Sequence, residues 1–192
     1  MRNSLLVACL LLLLPCFALA QDAPKAEIFG GYSFLRADEE DSPETDLHGW
    51  NASVNVNLNK WFGVKGDFSG HYNDFQISPG VKADLNTHLF LGGVQFTSYK
   101  YEKVTPFVHA LLGVGRRGFS VSRAVAGTSQ NSIHDHAFAL VLGGGIDVKF
   151  KKSLAWRAAQ VDYVFTTFDD LRDDRQHNLR LSTGLVLRLG DQ

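Results

Sequence analysis

The feature that most constrains this chain is a two-residue alternation that restarts again and again along it. From His48 to Leu58, the residues Trp50, Ala52, Val54, Val56 and Leu58 fall on one face, and Asn51, Ser53, Asn55 and Asn57 on the other. Side chains alternate across a strand with period two, so this segment reads as a strand with one apolar face. Asn59-Lys60 makes a tight turn. The alternation then resumes with Phe62, Val64, Gly66, Phe68, Gly70 and Tyr72 opposite Gly63, Lys65, Asp67, Ser69, His71 and Asn73.

The same pattern returns later. Over 136–150, Phe138, Leu140, Leu142, Ile146, Val148 and Phe150 oppose Ala137, Ala139, Gly143, Gly145, Asp147 and Lys149. Over 177–189, Leu179, Leu181, Leu185, Leu187 and Leu189 oppose Asn178, Arg180, Ser182, Gly184 and Arg188. Weaker strands fit 26–36, 85–98, 105–117 and 155–166. The last of these needs a bulge near Ala158-Ala159 to bring Arg157 and Asp162 to one face. Eight strands result. The connections 59–60, 99–104 and 151–154 are short, whereas 37–47, 74–84, 118–135 and 167–176 are longer and polar. Short and long alternate strictly, as in an up-and-down sheet with tight turns at one end and loops at the other. The spacing predicts an all-β fold, an eight-stranded antiparallel up-and-down barrel.

The N-terminus stands apart. Met1-Arg2-Asn3-Ser4 is short and basic, Leu5 to Leu14 is apolar, and Ala18-Leu19-Ala20 sets small residues before Gln21. These are the three parts of a secretory signal, so 1–20 is expected to be a cleaved signal peptide and 21–192 the barrel domain. Cys16 as a lipid acceptor is the rival reading, but Pro15 stands where a small residue is wanted. Both cysteines, Cys9 and Cys16, lie in that leader, so the barrel has no disulfide to staple it. The whole chain carries 19 basic and 20 acidic residues, a net charge of −1. That balance gives no electrostatic case for binding nucleic acid. No apolar run reaches the roughly 18 residues a membrane helix needs, but strands can also span.

Alternation alone does not say which face is inside. A soluble lipocalin-like barrel would bury the apolar face and solvate a face rich in Lys and Glu. Here the polar face is mostly Asn, Ser, Thr, Gly and Ala, which suits a narrow interior, and the apolar face suits lipid. Trp61, Phe62, Tyr99, Tyr101, Phe150 and Trp156 gather near the short turns. Tyr32, Phe34, Trp50, Tyr72, Phe138 and Phe165 gather near the long loops. Two aromatic belts around an apolar band mark the two interfaces of a bilayer.

On these grounds the chain resembles the small eight-stranded outer-membrane barrels of the OmpA transmembrane-domain and OmpX type. Ala26-Glu27-Ile28-Phe29-Gly30-Gly31-Tyr32-Ser33 looks like their first strand. Ser182, Gly184, Leu187 and Leu189 match the insertion signal such barrels present to the barrel-assembly machinery, with Leu189 where an aromatic is usual. The resemblance implies a transmembrane barrel in the cell outer membrane, with periplasmic turns and extracellular loops, in contact with outer-membrane lipid and lipopolysaccharide. It is expected to be monomeric.

The inward charges are then Glu27, Asp67, Asp147 and Asp162 against Lys65, Lys149, Arg157, Arg180 and Arg188. Buried charges need partners, so a paired network that plugs the interior is expected. Glu27 and Arg188 should be neighbours near the periplasmic end, and Asp162 and Arg180 on adjacent strands above. The expected role is structural or adhesin-like, through the outer loops, of which 37–47 carries Asp38, Glu39, Glu40, Asp41, Glu44 and Asp46. A porin-like conduit is the alternative, a lipid A-modifying enzyme the third reading, and a soluble carrier of an apolar ligand the fourth. No metal or cofactor is expected. The histidines are spread out, with His134-Asp135-His136 in the third long loop and His48, His71 and His177 near the outer rim, whereas a metal wants three or four converging ligands. Ser69 and His71 face inward and Ser132 and His134 lie in a loop, so neither pair makes a hydrolase facing lipid. Gly143-Gly144-Gly145 lacks the Lys and helix of a phosphate loop.

Overall fold

The computed structural model describes residues 23–37, 45–78, 81–123, 132–168 and 175–190. The expected signal peptide and the acids Asp38, Glu39, Glu40, Asp41 and Glu44 lie outside them. Eight strands form: β1 (Ala26–Ala37), β2 (Thr45–Asn57), β3 (Phe62–Ser78), β4 (Val81–Thr97), β5 (Val104–Arg123), β6 (Ser132–Lys151), β7 (Leu154–Phe168) and β8 (Arg175–Leu189). Each pairs antiparallel with the next, and β1 closes on β8 from Ala26↔Leu189 to Arg36↔Leu179.

The register fixes the shape. Glu27 pairs with Asn55, and the partners continue through Lys65, Gly93, Leu111, Val141, Val164 and Asn178. Since Leu179 pairs with Arg36, the row returns to β1 beside position 37, about ten residues above its start. A stagger of that size over eight strands tilts them about 35–45° and leaves an interior just wide enough for side chains.

The apolar face is outside. Val54, Val64, Phe68, Phe90, Leu112, Leu142 and Leu185 are all exposed, whereas Asn51, Asp67, Asp147 and Arg180 are buried. Side chains of Leu size half-uncovered all round a barrel fit a surface that lipid covers. No helix long and apolar enough to cross a membrane occurs among the described residues. The bulge falls where expected: the β7–β8 register shifts between Arg157 and Gln160, so Arg157, Gln160 and Asp162 all turn inward.

Three expectations are corrected. First, the strands run further than the alternation shows. β3 and β4 continue to Ser78 and from Val81, taking most of 74–84, and β5 and β6 take 118–123 and 132–135. Ser132, His134 and Asp135 thus belong to β6 and not to a loop. Above the apolar band a strand has no reason to alternate, because backbone pairing alone sustains it. Second, Tyr99 points into the periplasmic mouth, where its hydroxyl accepts from Asn57 Nδ2 at 2.8 Å, and it does not join the outer belt. Third, the interior is not polar throughout. Leu35, Leu47, Leu89, Leu91, Leu111, Ala139, Val141 and Val164 form a buried apolar cluster inside the barrel. β4, β5 and β6 are apolar on both faces at that height, which blurs their alternation.

Candidate functional site

The lumen holds one connected chain of charges. Arg157 is delivered inward by the β7 bulge and lies between the rings of Phe29 and Phe107, 4.3 and 4.2 Å from their centroids. Its Nε and Nη2 donate to the two oxygens of Asp147 at 2.8 and 3.1 Å, a bidentate pair. Its Nη1 donates to Gln160 Oε1 at 2.8 Å, and Gln160 Nε2 donates on to Asp162 Oδ2 at 2.7 Å.

Arg180 joins opposite walls. Its Nε donates to Asp162 Oδ2 at 2.8 Å, and its Nη1 to Asp67 Oδ1 at 2.9 Å and Ser69 Oγ at 3.0 Å. Nη2 also stands 2.7 Å from Asp162 Oδ2, but off-line, so it adds an ion pair and no further hydrogen bond. Asn51 Nδ2 donates to the same Asp67 oxygen at 2.9 Å. Lys65 Nζ lies 3.8 Å from Asp67 Oδ2 and donates to His109 Nδ1 at 3.2 Å. An ammonium only donates, so His109 Nδ1 accepts. Its Nε2–H is then the donor to Asp162 Oδ1 at 2.9 Å.

Below this network, Arg188 Nε donates to Glu27 Oε1 at 3.0 Å, with the guanidinium carbon 5.7 Å from the Tyr99 ring. Asn57 ties the same mouth to the Pro24 carbonyl at 2.8 Å. Burial first, and the neighbouring Glu27 carboxylate second, raise the Tyr99 hydroxyl above the ordinary phenol range, so it stays a neutral hydrogen-bonding group. Above the network, His71 Nε2 and Ser182 Oγ both meet Ser33 Oγ, at 2.9 and 3.0 Å. The leucine cluster fills the rest. Among the described residues, a cavity of about 20 Å³ at the outer end is lined by Leu35, Leu47, Leu89, Arg117, Val164 and Gln176. That is room for about one water and not for a solute.

Eight of the nine expected interior charges therefore meet: Glu27, Lys65, Asp67, Asp147, Arg157, Asp162, Arg180 and Arg188. Lys149 does not. It sits half-buried at the periplasmic end of β6 and makes no ion pair with a described residue. Asn51 falls on the inward face of the alternation without an expected role in the network, and the alternation does not single out His109, Gln160 or Phe107. For His109 the signal was present, since Thr105, Phe107, His109 and Leu111 share a face, but only one of the four is charged or basic.

The glycines serve this packing. A Cβ at Gly143 would stand 2.0 Å from Asp162 Oδ1, and one at Gly145 would stand 2.8 Å from the Phe107 ring. In the expected assembly signal, Ser182 is inside, Gly184 lets β8 approach the backbone of Gly30 and Gly31, and Leu187 and Leu189 face out. No group of three or more His, Cys, Asp or Glu side chains that could hold a metal ion occurs among the described residues. Three outward tyrosines meet histidines on the neighbouring strand: Tyr32 with His48, Tyr72 with His88 at 3.1 Å, and Tyr163 with His177.

Solved structures of the same build are similar to this chain. The attachment invasion locus protein Ail of Yersinia pestis is 20% identical, with a TM-score of 0.61 over 85% of this chain and 99% of Ail. Neisserial surface protein A is 11% identical, with a TM-score of 0.63 over 86% of this chain and 97% of that one. OprG of Pseudomonas aeruginosa is 12% identical, with a TM-score of 0.53 over 88% and 97%. These likenesses show the fold. A search of curated proteins finds no match. The family described as "Outer membrane protein beta-barrel domain" matches residues 6–185, nearly the whole of the alternating pattern, and to that family of outer-membrane barrels this chain belongs.

Proposed function

We propose that this barrel is a closed, monomeric outer-membrane protein that works through its extracellular end, in a structural or surface-interaction role, and that it conducts nothing in its resting state. The observation that carries this reading is the filled lumen among the described residues: a girdle of paired charges under a leucine cluster, with a cavity of about 20 Å³ at its outer end. A tilted strand needs about 9–11 residues to span a bilayer. β5 and β6 run from Val104 to Arg123 and from Ser132 to Lys151, so much of each stands outside the apolar band. That raised hairpin is a stiff wall on which a partner can be received. Ail, a barrel of this build, is named for attachment and invasion.

In this reading residues 1–20 are removed on export, the barrel-assembly machinery inserts the chain by its last strand, and outer-membrane lipid and lipopolysaccharide surround it. No catalytic activity is assigned. Planar-bilayer recording of the refolded mature protein tests the plug. The expected trace matches a protein-free bilayer, and steady single-channel steps would establish the conduit instead. Cell-surface display tests the second half. Closing the β5–β6 hairpin directly from Gly118 to His134 should abolish binding of displaying cells to whichever surface the intact protein binds. If no surface is bound by either form, the role is purely structural.

A further inference from the structure

The outward face of β4, β5 and β6 changes character in a single step. Climbing each strand from the periplasmic side, the outward residues are apolar or glycine: Phe96 to Phe90 on β4, Val104 to Val114 on β5, Phe150 to Phe138 on β6. The next outward residue on each is His88, Arg116 and His136. The three are in register, His88↔Arg116 and Arg116↔His136. The row directly below is Phe90↔Val114↔Phe138, each about half exposed.

Arg116 and His136 are exposed and make no hydrogen bond or ion pair with any described residue. The contrast is Arg36, also on the outer surface, whose Nε is paired to Asp46 at 3.0 Å. His88 is held by Tyr72, whose hydroxyl meets its Nε2 at 3.1 Å and whose ring packs edge-on against it. Three neighbouring strands set these groups roughly 10 Å apart from first to last.

An apolar row followed by a row of one guanidinium and two imidazoles, on a surface that lipid covers, is the negative of a phosphorylated lipid. We infer that His88, Arg116 and His136 form a binding site for the phosphate of an outer-leaflet glycolipid, whose acyl chains lie along Phe90, Val114 and Phe138. Arg116 supplies a permanent charge and a planar fork of donors suited to phosphate oxygens. The two imidazoles supply N–H donors on either side. The site deepens the proposal that lipopolysaccharide surrounds the barrel, and it rests on that reading.

The test uses the mature protein in nanodiscs and four probes. These are bis-phosphorylated acylated glucosamine disaccharide, the same lipid with its phosphates removed, phosphatidylglycerol and inorganic phosphate. Native mass spectrometry reads lipid retained per barrel. The phosphorylated disaccharide should be retained about tenfold over its dephosphorylated form, and R116Q/H136Q should abolish that preference. K151Q/K152Q, at the periplasmic turn, should keep it. Equal retention by R116Q/H136Q overturns the site, and so does equal retention of phosphatidylglycerol. Displacement by millimolar inorganic phosphate overturns the lipid assignment. Heat-modifiable gel migration of each variant separates the two levels: a barrel that migrates as folded but shows no preference fails the site alone, and a wild type recovered without the outer membrane fails the reading beneath it.

Discussion

Replacing Arg180 by methionine tests the plug where it is most connected. Methionine keeps much of the stem and removes the guanidinium. Arg180 is fully buried, and so are both acids it holds. The substitution deletes its hydrogen bonds to Asp162, Asp67 and Ser69. Asp67 is left with Asn51 and with Lys65 at 3.8 Å, and Asp162 with His109 and Gln160. Breaking a buried pair from one side typically costs about 3–5 kcal/mol, because the orphaned charge stays desolvated. The partners that remain place this case at the lower end, about 3 kcal/mol. Adding D162N to R180M should recover about 1–2 kcal/mol of that loss, since it removes one orphaned charge. Reversible urea unfolding in lipid vesicles, followed by tryptophan fluorescence, gives both numbers. A water-filled lumen would screen the pair and reduce the loss to about 0–1 kcal/mol. A loss that small, or strict additivity in R180M/D162N, refutes the closed network.

Other outcomes follow from the same packing. Leu142→Arg puts a charge on the outward face midway along β6 and should cost about 2–4 kcal/mol of stability in lipid, and a neutral result would reverse the assignment of faces. Gly143→Ala forces a methyl into Asp162, whose oxygen stands 2.0 Å from the new Cβ, and should cost about 1–3 kcal/mol by the same unfolding assay. Phe107→Ala removes a ring from beside Arg157 and a filler from the lumen, and should cost about 3–5 kcal/mol. Tyr99→Phe removes the acceptor of Asn57 at the periplasmic mouth and should cost about 1 kcal/mol, without opening a conductance in planar bilayers.

How much of this is legible in the chain depends on whether the two faces of a strand differ. On β2, β3 and β8 they do: Val54 and Asn55, Phe68 and Asp67, Leu181 and Arg180 sort at sight, and the structure sets each pair as the alternation implies. The bulge was legible because Arg157 and Asp162 are an odd number apart and both need partners. On β5 the contrast fails. Phe107 and Leu111 point inward while Val108 and Leu112 point out, all apolar, so neither the leucine cluster nor the setting of His109 is readable there. The tops of β3 to β6 were hidden for a different reason. Outside lipid neither face must be apolar, and a paired strand leaves the same polar composition as a loop. Tyr99 failed because aromatic residues near a turn serve two ends alike, sealing a mouth or anchoring at an interface.

The division of the interior has a consequence for what the molecule is able to do. The two central arginines of the lumen are each fixed by partners from different strands: Arg180 spans β8, β7 and β3, and Arg157 binds Asp147 on β6 while stacking on Phe29 of β1. Such cross-wall links resist any change in the barrel's section, because moving one strand breaks bonds to several others. The leucine cluster above them narrows the lumen at its outer end, with Arg117 lining the small cavity there. A gate would need the reverse, a loosely held constriction. Rigidity of the barrel is then useful for what it carries. The β5–β6 hairpin continues the same paired ladder beyond the membrane, from Arg116↔His136 up to Ser120↔Ser132, so it is held by the barrel beneath it. For the surface-interaction role proposed above, a ligand meeting that hairpin would pay little backbone ordering entropy, since the paired backbone is already formed.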